Sequence, residues 1–405
     1  MRRYRAAWAL PIAGPPIRNA SLTLDQGRIV SIGSASLDAG ATNGTELDLG
    51  SVVVLPGLVN AHTHLELSAL RARIAPAAAM PEWVDSLLTA RRDIGAETCM
   101  AIDAAIVELR CHGTALVGDI SNTLATVEPL QRASLSAVVF HEILGFNPPD
   151  PDAQARSAVE AINLSSDDAG VRVSVAAHAP YSVAPALFEA LRRELSTRCP
   201  EAPLVVHLAE SSEELAFLAD GSGPWRQLLE RLGVWNPSWQ VPACGPVEFL
   251  EQVGWLDPLV IVVHGVQLTA GDLAKLARRG MTLVTCPRSN ALTGAGTPPV
   301  QRFLESGIRL AVGTDSLASA PNLSLFAELA RLRKLAPDVP AAALLASATI
   351  EGARALRWDD AFGTIEPGKR ADLIAVTLPE AVYDVEEYLL GGIEPSQITW
   401  LDDAV

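Results

Sequence analysis

Short apolar runs that alternate with longer segments of helical period dominate the middle of this chain. The runs are apolar on both faces and bounded by turn residues, which predicts buried strands. Eight such runs occur, at residues 52–59, 114–117, 137–140, 171–176, 204–206, 259–263, 282–285 and 310–312.

Segments with helical spacing of apolar residues separate these runs, for example residues 83–90, 100–110, 184–195, 271–279 and 323–335. Gly113 and Gly280 follow two of these segments, where a helix commonly ends. Eight strand–helix repeats over roughly 300 residues predict a parallel (β/α)8 TIM barrel. A doubly wound open sheet is the alternative, but no G-x-G-x-x-G follows a strand.

Both ends of the chain have a different sequence pattern, which predicts short strands joined by tight turns. Residues 21–24 and 28–32 flank Asp25-Gln26-Gly27, a hairpin pattern. Residues 363–365 and 371–376 flank a second turn at 366–369. We therefore predict an α/β protein in which both ends form one small β-sandwich domain, residues 1–54 and 362–405. The barrel would span residues 55–361.

Composition limits the classes of partner. The 405 residues are 49% hydrophobic, and 31 basic against 47 acidic residues give a formal charge of −16. An acidic surface repels phosphate backbones, so nucleic acid is not expected as a partner. No apolar stretch reaches the ~18 residues of a membrane span. The cysteines number five, an odd count without a C-x-x-C pair, which favours reduced thiols and a cytoplasmic location.

Five histidines lie at or just past the ends of predicted strands: His62, His64, His178, His207 and His264. Strand ends share one face of a parallel barrel, so these side chains are expected to converge there. In the extended segment His62-Thr63-His64, alternate residues point the same way, and both imidazoles can reach one ion. Alone, an H-x-H pair is equally compatible with a surface strand.

Three further strand ends extend this pattern. Val206-His207-Leu208-Ala209-Glu210 supplies a third imidazole and a carboxylate that can accept a proton from an attacking water. His264-Gly265 and Gly313-Thr314-Asp315 follow in order. Singly, His207 fits a core histidine, His264 a structural strand-end histidine and Asp315 a helix N-cap. The ordered set predicts that His62, His64, His207 and Asp315 hold a metal.

Three histidines and one carboxylate suit zinc, with ferrous iron as the alternative. A bound divalent ion lowers the pKa of its water to about 7. Competing catalytic motifs are absent. The P-C-x-x-C that would accompany His64-Leu65-Glu66 in a cytidine-type deaminase is missing, as are G-x-S-x-G and a Walker A sequence.

Two longer motifs resemble the amidohydrolase superfamily. Leu55-Pro56-Gly57-Leu58-Val59-Asn60-Ala61-His62-Thr63-His64 is similar to its first-strand signature, and Gly363-Thr364-Ile365-Glu366-Pro367-Gly368-Lys369-Arg370-Ala371-Asp372-Leu373 to its return into the β domain. His207 with Glu210, Cys286-Pro287-Arg288-Ser289-Asn290 and Gly313-Thr314-Asp315-Ser316 resemble the cytosine deaminase and chlorohydrolase branch. That resemblance implies a single metal ion.

A finer resemblance is to the aminofutalosine deaminase family, in His64-Leu65-Glu66-Leu67-Ser68, Pro81-Glu82-Trp83-Val84 and Asp315-Ser316-Leu317-Ala318-Ser319. It implies removal of the 6-amino group from an adenine attached to a modified ribose. His178 matches a substrate-contact position of adenosine-type deaminases. Glu66 and Trp83 are candidate substrate contacts, although Glu66 equally fits a helix-start carboxylate and Trp83 a packing residue.

The expected function is therefore metal-dependent hydrolytic deamination of an aminated heterocycle, an adenine-bearing nucleoside such as aminofutalosine. Glu210 would shuttle the proton, His264 would stabilise the tetrahedral intermediate, and Asp315 would share in proton movement. The alternatives are hydrolysis of another C–N or C–Cl bond, as by a cyclic amidase or chlorohydrolase, and a binding protein that kept the fold. We expect a small heterocyclic partner, no nucleic acid and no membrane, with a homodimer left open.

Overall fold

A computed structural model describes residues 1–35, 45–92, 95, 97–164 and 170–401. The strands are β1 (Arg2–Ala9), β2 (Ile17–Asp25), β3 (Arg28–Ser34), β4 (Thr45–Asp48), β5 (Val52–Pro56), β6 (Leu58–Thr63), β7 (Thr114–Ser121), β8 (Ser136–Ile143), β9 (Val171–Ala177), β10 (Leu204–Leu208), β11 (Val260–His264), β12 (Thr282–Thr285), β13 (Arg309–Val312), β14 (Leu373–Thr377) and β15 (Ile398–Trp400).

Helices fill most of the connections between the strands. They are α1 (Met80–Arg91), α2 (Glu97–Cys111), α3 (Val127–Arg132), α4 (Pro151–Leu164), α5 (Pro185–Arg198), α6 (Ser212–Asp220), α7 (Pro224–Arg231), α8 (Pro246–Gln252), α9 (Ala270–Arg278), α10 (Pro287–Thr293), α11 (Val300–Glu305), α12 (Leu325–Leu335), α13 (Ala341–Ser347), α14 (Ile350–Ala355) and α15 (Val385–Leu389), with 3-10 helices at Leu65–Leu70 and Pro395–Gln397.

The strands β6 to β13 form a parallel sheet in chain order, with helices between them. Its two edges meet where Thr63 pairs with Asp315 in parallel register. The backbone N–H groups of Thr314 and Asp315 both donate to the carbonyl of His62 at 3.1 Å. These bonds close the barrel, so the predicted (β/α)8 fold is confirmed.

Burial on both faces explains why the barrel strands read as continuous apolar runs. Every residue of β7, β10 and β11 is buried, since one face packs inside the barrel and the other against the helices. Helix starts follow local signals. Thr269 and Asp272 form a capping box at the start of α9, and Ser324 accepts a hydrogen bond from Ala327 N–H at the start of α12.

Both ends of the chain build a second, mixed sheet with the order β15-β14-β5-β1-β2-β3, in which β4 also pairs with β1. The strand β14 lies antiparallel to β5, so the predicted union of the two ends in one small β domain is confirmed. The strands of this domain are hydrogen-bonded into a single sheet. In the hairpin between β2 and β3, Gln26 and Gly27 have φ of 47° and 71°, as a primed turn requires.

The predicted strand at residues 52–59, which Pro56-Gly57 interrupts, is wrong as a single element. It is two strands in different sheets, β5 in the mixed sheet and β6 in the barrel, and Gly57 lies between them. A Cβ at Gly57 would lie 2.5 Å from Cβ of Ala115 and 3.0 Å from the carbonyl oxygen of Asp372. The chain therefore changes sheets where both sheets press against its backbone.

Among the described helices, none is both long enough and apolar enough to cross a membrane.

Candidate active site

The histidines at or just past the ends of the barrel strands converge at one end of the barrel. The rings of His62 and His64 have centroids 4.9 Å apart, and His207 lies 5.0 Å from His62. His178 and His264 lie 5.0 and 5.2 Å from His207. The five predicted strand-end histidines thus form one cluster, although their sequence positions span two hundred residues.

Asp315 lies beside the H-x-H pair because the barrel closes there. Its Oδ1 is 3.8 Å from Nε2 of His62 and 3.5 Å from Nε2 of His64. The other oxygen, Oδ2, accepts hydrogen bonds from the hydroxyls of Ser289 and Ser319, the second at 3.0 Å. One carboxylate oxygen therefore faces the imidazoles while the other is fixed.

His264 is held between two partners. Its Nε2 lies 3.1 Å from Nδ1 of His207, and its Nδ1 lies 3.0 Å from the amide nitrogen of Asn290. Nε2 of His264 is also 3.5 Å from Oε2 of Glu210. The ring therefore lies between the histidine cluster and the carboxylate that follows β10.

Glu210 is buried in the loop after β10, and Glu214 fixes this loop. The carboxylate of Glu214 accepts hydrogen bonds from the backbone N–H groups of Ala209 and Glu210, at 2.8 and 3.0 Å. Burial and the negative charges of Asp315 and Glu214 raise the pKa of Glu210 well above its usual range. Such a carboxyl can hold a proton at neutral pH and release it to a base.

Three residues at this end of the barrel have left-handed backbone conformations: Ala209, His264 and Asp315, with φ of 50°, 73° and 57°. Side chains other than glycine seldom adopt such angles, which typically cost on the order of 1 kcal/mol or more each. Ala209 directly follows β10, His264 is the last residue of β11, and Asp315 lies three residues after the end of β13. The surrounding hydrogen bonds therefore hold His264 and Asp315 in orientations that the isolated chain would disfavour.

A cavity of about 220 Å³ opens onto this cluster. His64, His178, His207, Glu210, His264 and Asp315 border its polar end. Apolar side chains of α1 and α7 border much of the remainder, namely Met80, Trp83, Val84, Leu87, Leu88, Trp225, Leu228 and Leu229. The site therefore combines ionisable groups at one end with a wall that suits a flat, apolar ring system.

Two of the three predicted substrate contacts border this cavity. His178 is partly exposed, and its Nδ1 lies 2.6 Å from the hydroxyl of Ser182. Trp83 both borders the cavity and packs in an apolar cluster that includes Leu70 and Ile74, so its two sequence interpretations are compatible.

The structure places the third, Glu66, behind the cavity wall, which does not support the predicted substrate contact. Its carboxylate accepts hydrogen bonds from the loop after β7: from the hydroxyl of Ser121, from Asn122 N–H at 3.1 Å, and from the N–H and hydroxyl of Thr123 at 3.1 and 2.7 Å. Glu66 is not among the described residues that border the cavity. Its carboxylate is occupied in holding this loop.

Sequence reasoning missed Glu142 and Asn122, both of which border the cavity. Glu142 is buried near the end of β8, next to His141. Neighbouring residues of a strand point to opposite faces, and in a strand buried on both faces the sequence does not show which face is inside. The available signal was a carboxylate in an apolar run, which needs a partner when buried.

The cluster offers unpaired nitrogen atoms to a cation. Both ring nitrogens of His62 and Nε2 of His207 are buried without a hydrogen-bond partner among the described residues. One ligand atom from each of His62, His64 and His207 lies within 4.8 Å of the others. Burial lowers the pKa of His62 well below its usual range, helped by the neighbouring imidazoles, so the ring is neutral and able to ligate.

Comparisons with known proteins agree with this geometry. The Amidohydrolase family matches this chain over residues 53–391. The chain is 32% identical over 376 residues to a 5-methylthioadenosine/S-adenosylhomocysteine deaminase of Syntrophobacter fumaroxidans, which covers 86% of this chain and 78% of that protein.

Two solved structures are similar over nearly the whole chain. The aminofutalosine deaminase of Helicobacter pylori in complex with methylthio-coformycin has a TM-score of 0.87 at 26% identity, covering 98% of this chain and all of that one. An adenosine deaminase of Xanthomonas campestris with bound zinc has a TM-score of 0.82 at 27% identity, covering 98% and 90%.

Proposed function

Because this chain belongs to the amidohydrolase family, we propose that it is a metal-dependent deaminase that releases ammonia from an adenine-bearing nucleoside. Its family and its deaminase relatives make it a hydrolase that acts on non-peptide carbon–nitrogen bonds. The observation that carries the proposal is the meeting of three imidazoles, one carboxylate and the buried Glu210 at the polar end of one apolar cavity.

The metal ligands in this proposal are His62, His64, His207 and Asp315. The unpaired buried nitrogens of His62 and His207 fit a cation, because each otherwise lacks a hydrogen-bond partner among the described residues. Three nitrogen donors and one oxygen donor suit zinc, with ferrous iron as the alternative. When bound, such an ion lowers the pKa of a coordinated water to about 7 and so provides a nucleophile at neutral pH.

Glu210 is the proton carrier in this proposal. Its carboxylate takes a proton from the attacking water and delivers it to the ring nitrogen beside the amino-bearing carbon, after which ammonia leaves. Its raised pKa suits both steps, because a buried carboxylate readily accepts a proton and holds it until the ring nitrogen takes it. The two hydrogen bonds that the carboxylate of Glu214 accepts from the loop keep Glu210 in place during this exchange.

His264 and Asp315 complete the polar end of the site. His264 lies 3.5 Å from Glu210 and contacts His207. Its role in this proposal is to stabilise the tetrahedral intermediate through a fixed polar contact with the new oxygen on the attacked carbon. The neighbouring His64 and His264 hold the pKa of Asp315 below its usual range, against the effect of burial. Asp315 therefore stays ionised beside the histidines.

The apolar wall and the relatives together favour an adenine nucleoside with a modified ribose. Trp83, Trp225 and Leu228 supply flat, apolar surface for a purine and for a substituent beyond the sugar. Relatives are named for methylthioadenosine, S-adenosylhomocysteine and aminofutalosine. Arg91 at the cavity border, 3.7 Å from Glu66, offers a positive charge to an acidic substituent on the sugar.

Ammonia release from a panel of substrates tests the function. Adenosine, methylthioadenosine and aminofutalosine should release ammonia, whereas chlorinated triazines and cyclic amides should not react. Chloride release or ring opening without ammonia would favour the other hydrolase reactions of this fold instead.

Glu210→Gln tests the mechanism. The variant should bind zinc like the wild type but lose kcat by about 10²–10⁴-fold, because the amide cannot carry the proton. Metal analysis and steady-state kinetics measure the two properties. Glu248→Gln, the same change at an exposed position on α8, should leave both unchanged. Near-wild-type turnover by Glu210→Gln would contradict the proton-carrier role.

A further inference from the structure

One buried carboxylate at the cavity has no role in the reaction proposed above. Glu142 lies near the end of β8 with 7% of its surface exposed, and it borders the cavity. Its Oε2 accepts a hydrogen bond from the side-chain amide of Asn122 at 2.6 Å. Its Oε1 is buried and has no hydrogen-bond partner among the described residues. An unpaired buried oxygen is costly, so this atom is a candidate for contact with a ligand.

The orientation of Glu142 is set by a chain of hydrogen bonds that begins at Glu66. Glu66 holds the backbone of Asn122 through its N–H at 3.1 Å, and the side chain of Asn122 then holds Oε2 of Glu142. The buried carboxylate of Glu66, which the sequence suggested as a substrate contact, therefore acts through Asn122. A fixed acceptor of this kind loses little conformational entropy when a ligand binds.

The free oxygen of Glu142 lies close to two of the clustered histidines. Oε1 lies 3.5 Å from Nε2 of His207 and 4.0 Å from Nε2 of His178. A carboxylate oxygen only accepts hydrogen bonds, so its ligand must carry a donor such as a hydroxyl. In a nucleoside, the hydroxyls nearest the base are those of the ribose, which is attached to the five-membered ring of the purine.

Resting on the proposed function, we propose that Glu142, positioned by Asn122, binds the ribose hydroxyls of the substrate and makes the enzyme select ribonucleosides over deoxyribonucleosides. A hydroxyl that donates to Oε1 satisfies the unpaired oxygen, whereas a deoxy sugar leaves it buried without a partner. A site built to hydrogen-bond a hydroxyl discriminates strongly against an analogue that lacks it. Adenine-bearing substrates with free ribose hydroxyls are therefore the preferred class.

Sugar analogues combined with substitution of Glu142 test this directly. In the wild type, kcat/KM for adenosine should exceed that for 2′-deoxyadenosine or 3′-deoxyadenosine by roughly 10- to 100-fold, the range for a hydrogen bond to a charged group. In Glu142→Leu, which has similar volume and no acceptor, the ratio should fall to within about twofold. Glu142→Gln should retain part of the preference for adenosine over the deoxy analogues. Glu160→Gln, at an exposed position on α4, should retain the full preference.

The positioning role of Asn122 predicts a separate kinetic effect. Asn122→Ala should reduce the preference for the ribonucleoside several-fold, mainly through KM, while kcat for the deoxy substrates stays near the wild-type value. Thermal unfolding and metal content, measured for every variant, show whether each is folded and loaded. An unchanged ratio in a folded, metal-loaded Glu142→Leu would overturn the proposal.

Binding measurements separate this proposal from the proposed reaction. Calorimetry with inosine, 2′-deoxyinosine and 3′-deoxyinosine needs no turnover, because these molecules already lack the amino group. A preference for inosine that disappears in Glu142→Leu supports the contact even if no adenine nucleoside is deaminated. Deamination of adenosine and its deoxy analogues at equal rates would overturn the contact and leave the function standing, and failure of inosine to bind would count against both.

Discussion

At the scale of single residues, the carboxylates around the cavity differ because their neighbours differ. Burial, followed by the negative charges of Asp315 and Glu214, raises the pKa of Glu210 well above its usual range. For Asp315 and Glu142, the neighbouring imidazoles outweigh burial and hold the pKa below its usual range. Carboxylates whose environments push their pKa values apart are suited to different tasks, one carrying a proton and the others accepting contacts.

Glu214 is predicted to act through Glu210. In Glu214→Gln the side-chain amide cannot accept from both backbone N–H groups that Glu214 now holds, so Glu210 should move. We expect kcat to fall by roughly 10- to 100-fold, since a small misplacement of a catalytic group has effects of this size. Steady-state kinetics measure the effect. Glu213→Gln, on the neighbouring position of α6, should leave kcat unchanged, and full activity in Glu214→Gln would exclude the positioning role.

At the scale of elements, the junctions between strands position the site. Gly313 lies where the barrel closes, and a Cβ there would be 2.6 Å from the carbonyl oxygen of His62. Gly57 lies where the chain leaves the mixed sheet for the barrel, five residues before the first histidine. The small side chain at each junction lets two backbones approach closely. The strand that carries His62 and His64 thus depends on two glycines, Gly57 just before it in the chain and Gly313 beside it in the closed barrel.

Gly57→Ala should therefore destabilise the protein. The added methyl group would meet Ala115 at 2.5 Å, and overpacking of this kind typically costs about 1–3 kcal/mol. Denaturant or thermal unfolding measures the change in the free energy of unfolding. Gly33→Ala, in β3, has no atom within 4 Å of the added Cβ and should change it little. Equal stability of the two variants would show that the junction has room.

At the scale of the whole molecule, one cluster of histidines is assembled from the first, fourth, fifth and sixth barrel strands and closed by the segment after the last one. The mixed sheet also packs on the barrel: the indole N–H of Trp400 donates to the carbonyl of Arg110 at 3.0 Å, and its ring stacks on the Arg110 guanidinium. A ligand of the cluster therefore connects strands that span the entire barrel, so binding should stabilise the fold globally.

Removal of metal should accordingly lower the thermal unfolding temperature, and zinc should restore it. Free zinc at 100 times its Kd would stabilise the fold by about 2.7 kcal/mol. Calorimetry of chelator-treated and zinc-loaded protein measures this. The stabilisation should be largely lost in His207→Ala. It should persist in His112→Gln, because His112 bonds the carbonyl of Glu108 at the opposite end of the barrel. An equal zinc effect in both variants would remove His207 from the ligand set.

Much of this architecture was predictable from the sequence because its signals are local. The alternation of apolar runs with helical segments predicts the barrel, since each strand must be buried on both faces wherever it lies. Residues after strand ends share one face of a parallel barrel, so the meeting of His62, His207 and Asp315 followed from their positions alone. The interruption at Pro56-Gly57 did not show that the chain changes sheets there, because a strand that changes sheets keeps the same apolar pattern.

What the sequence by itself determined is which chemical groups lie at the strand ends and in which order. Only the tertiary structure decided which of them face the cavity. It turned Glu66 away from the cavity and Glu142 toward it, although both are carboxylates near strand ends. The physical reason is that the direction of a side chain depends on packing between segments that are distant in the sequence. When a strand is apolar on both faces, its sequence does not indicate which face lies inside the barrel.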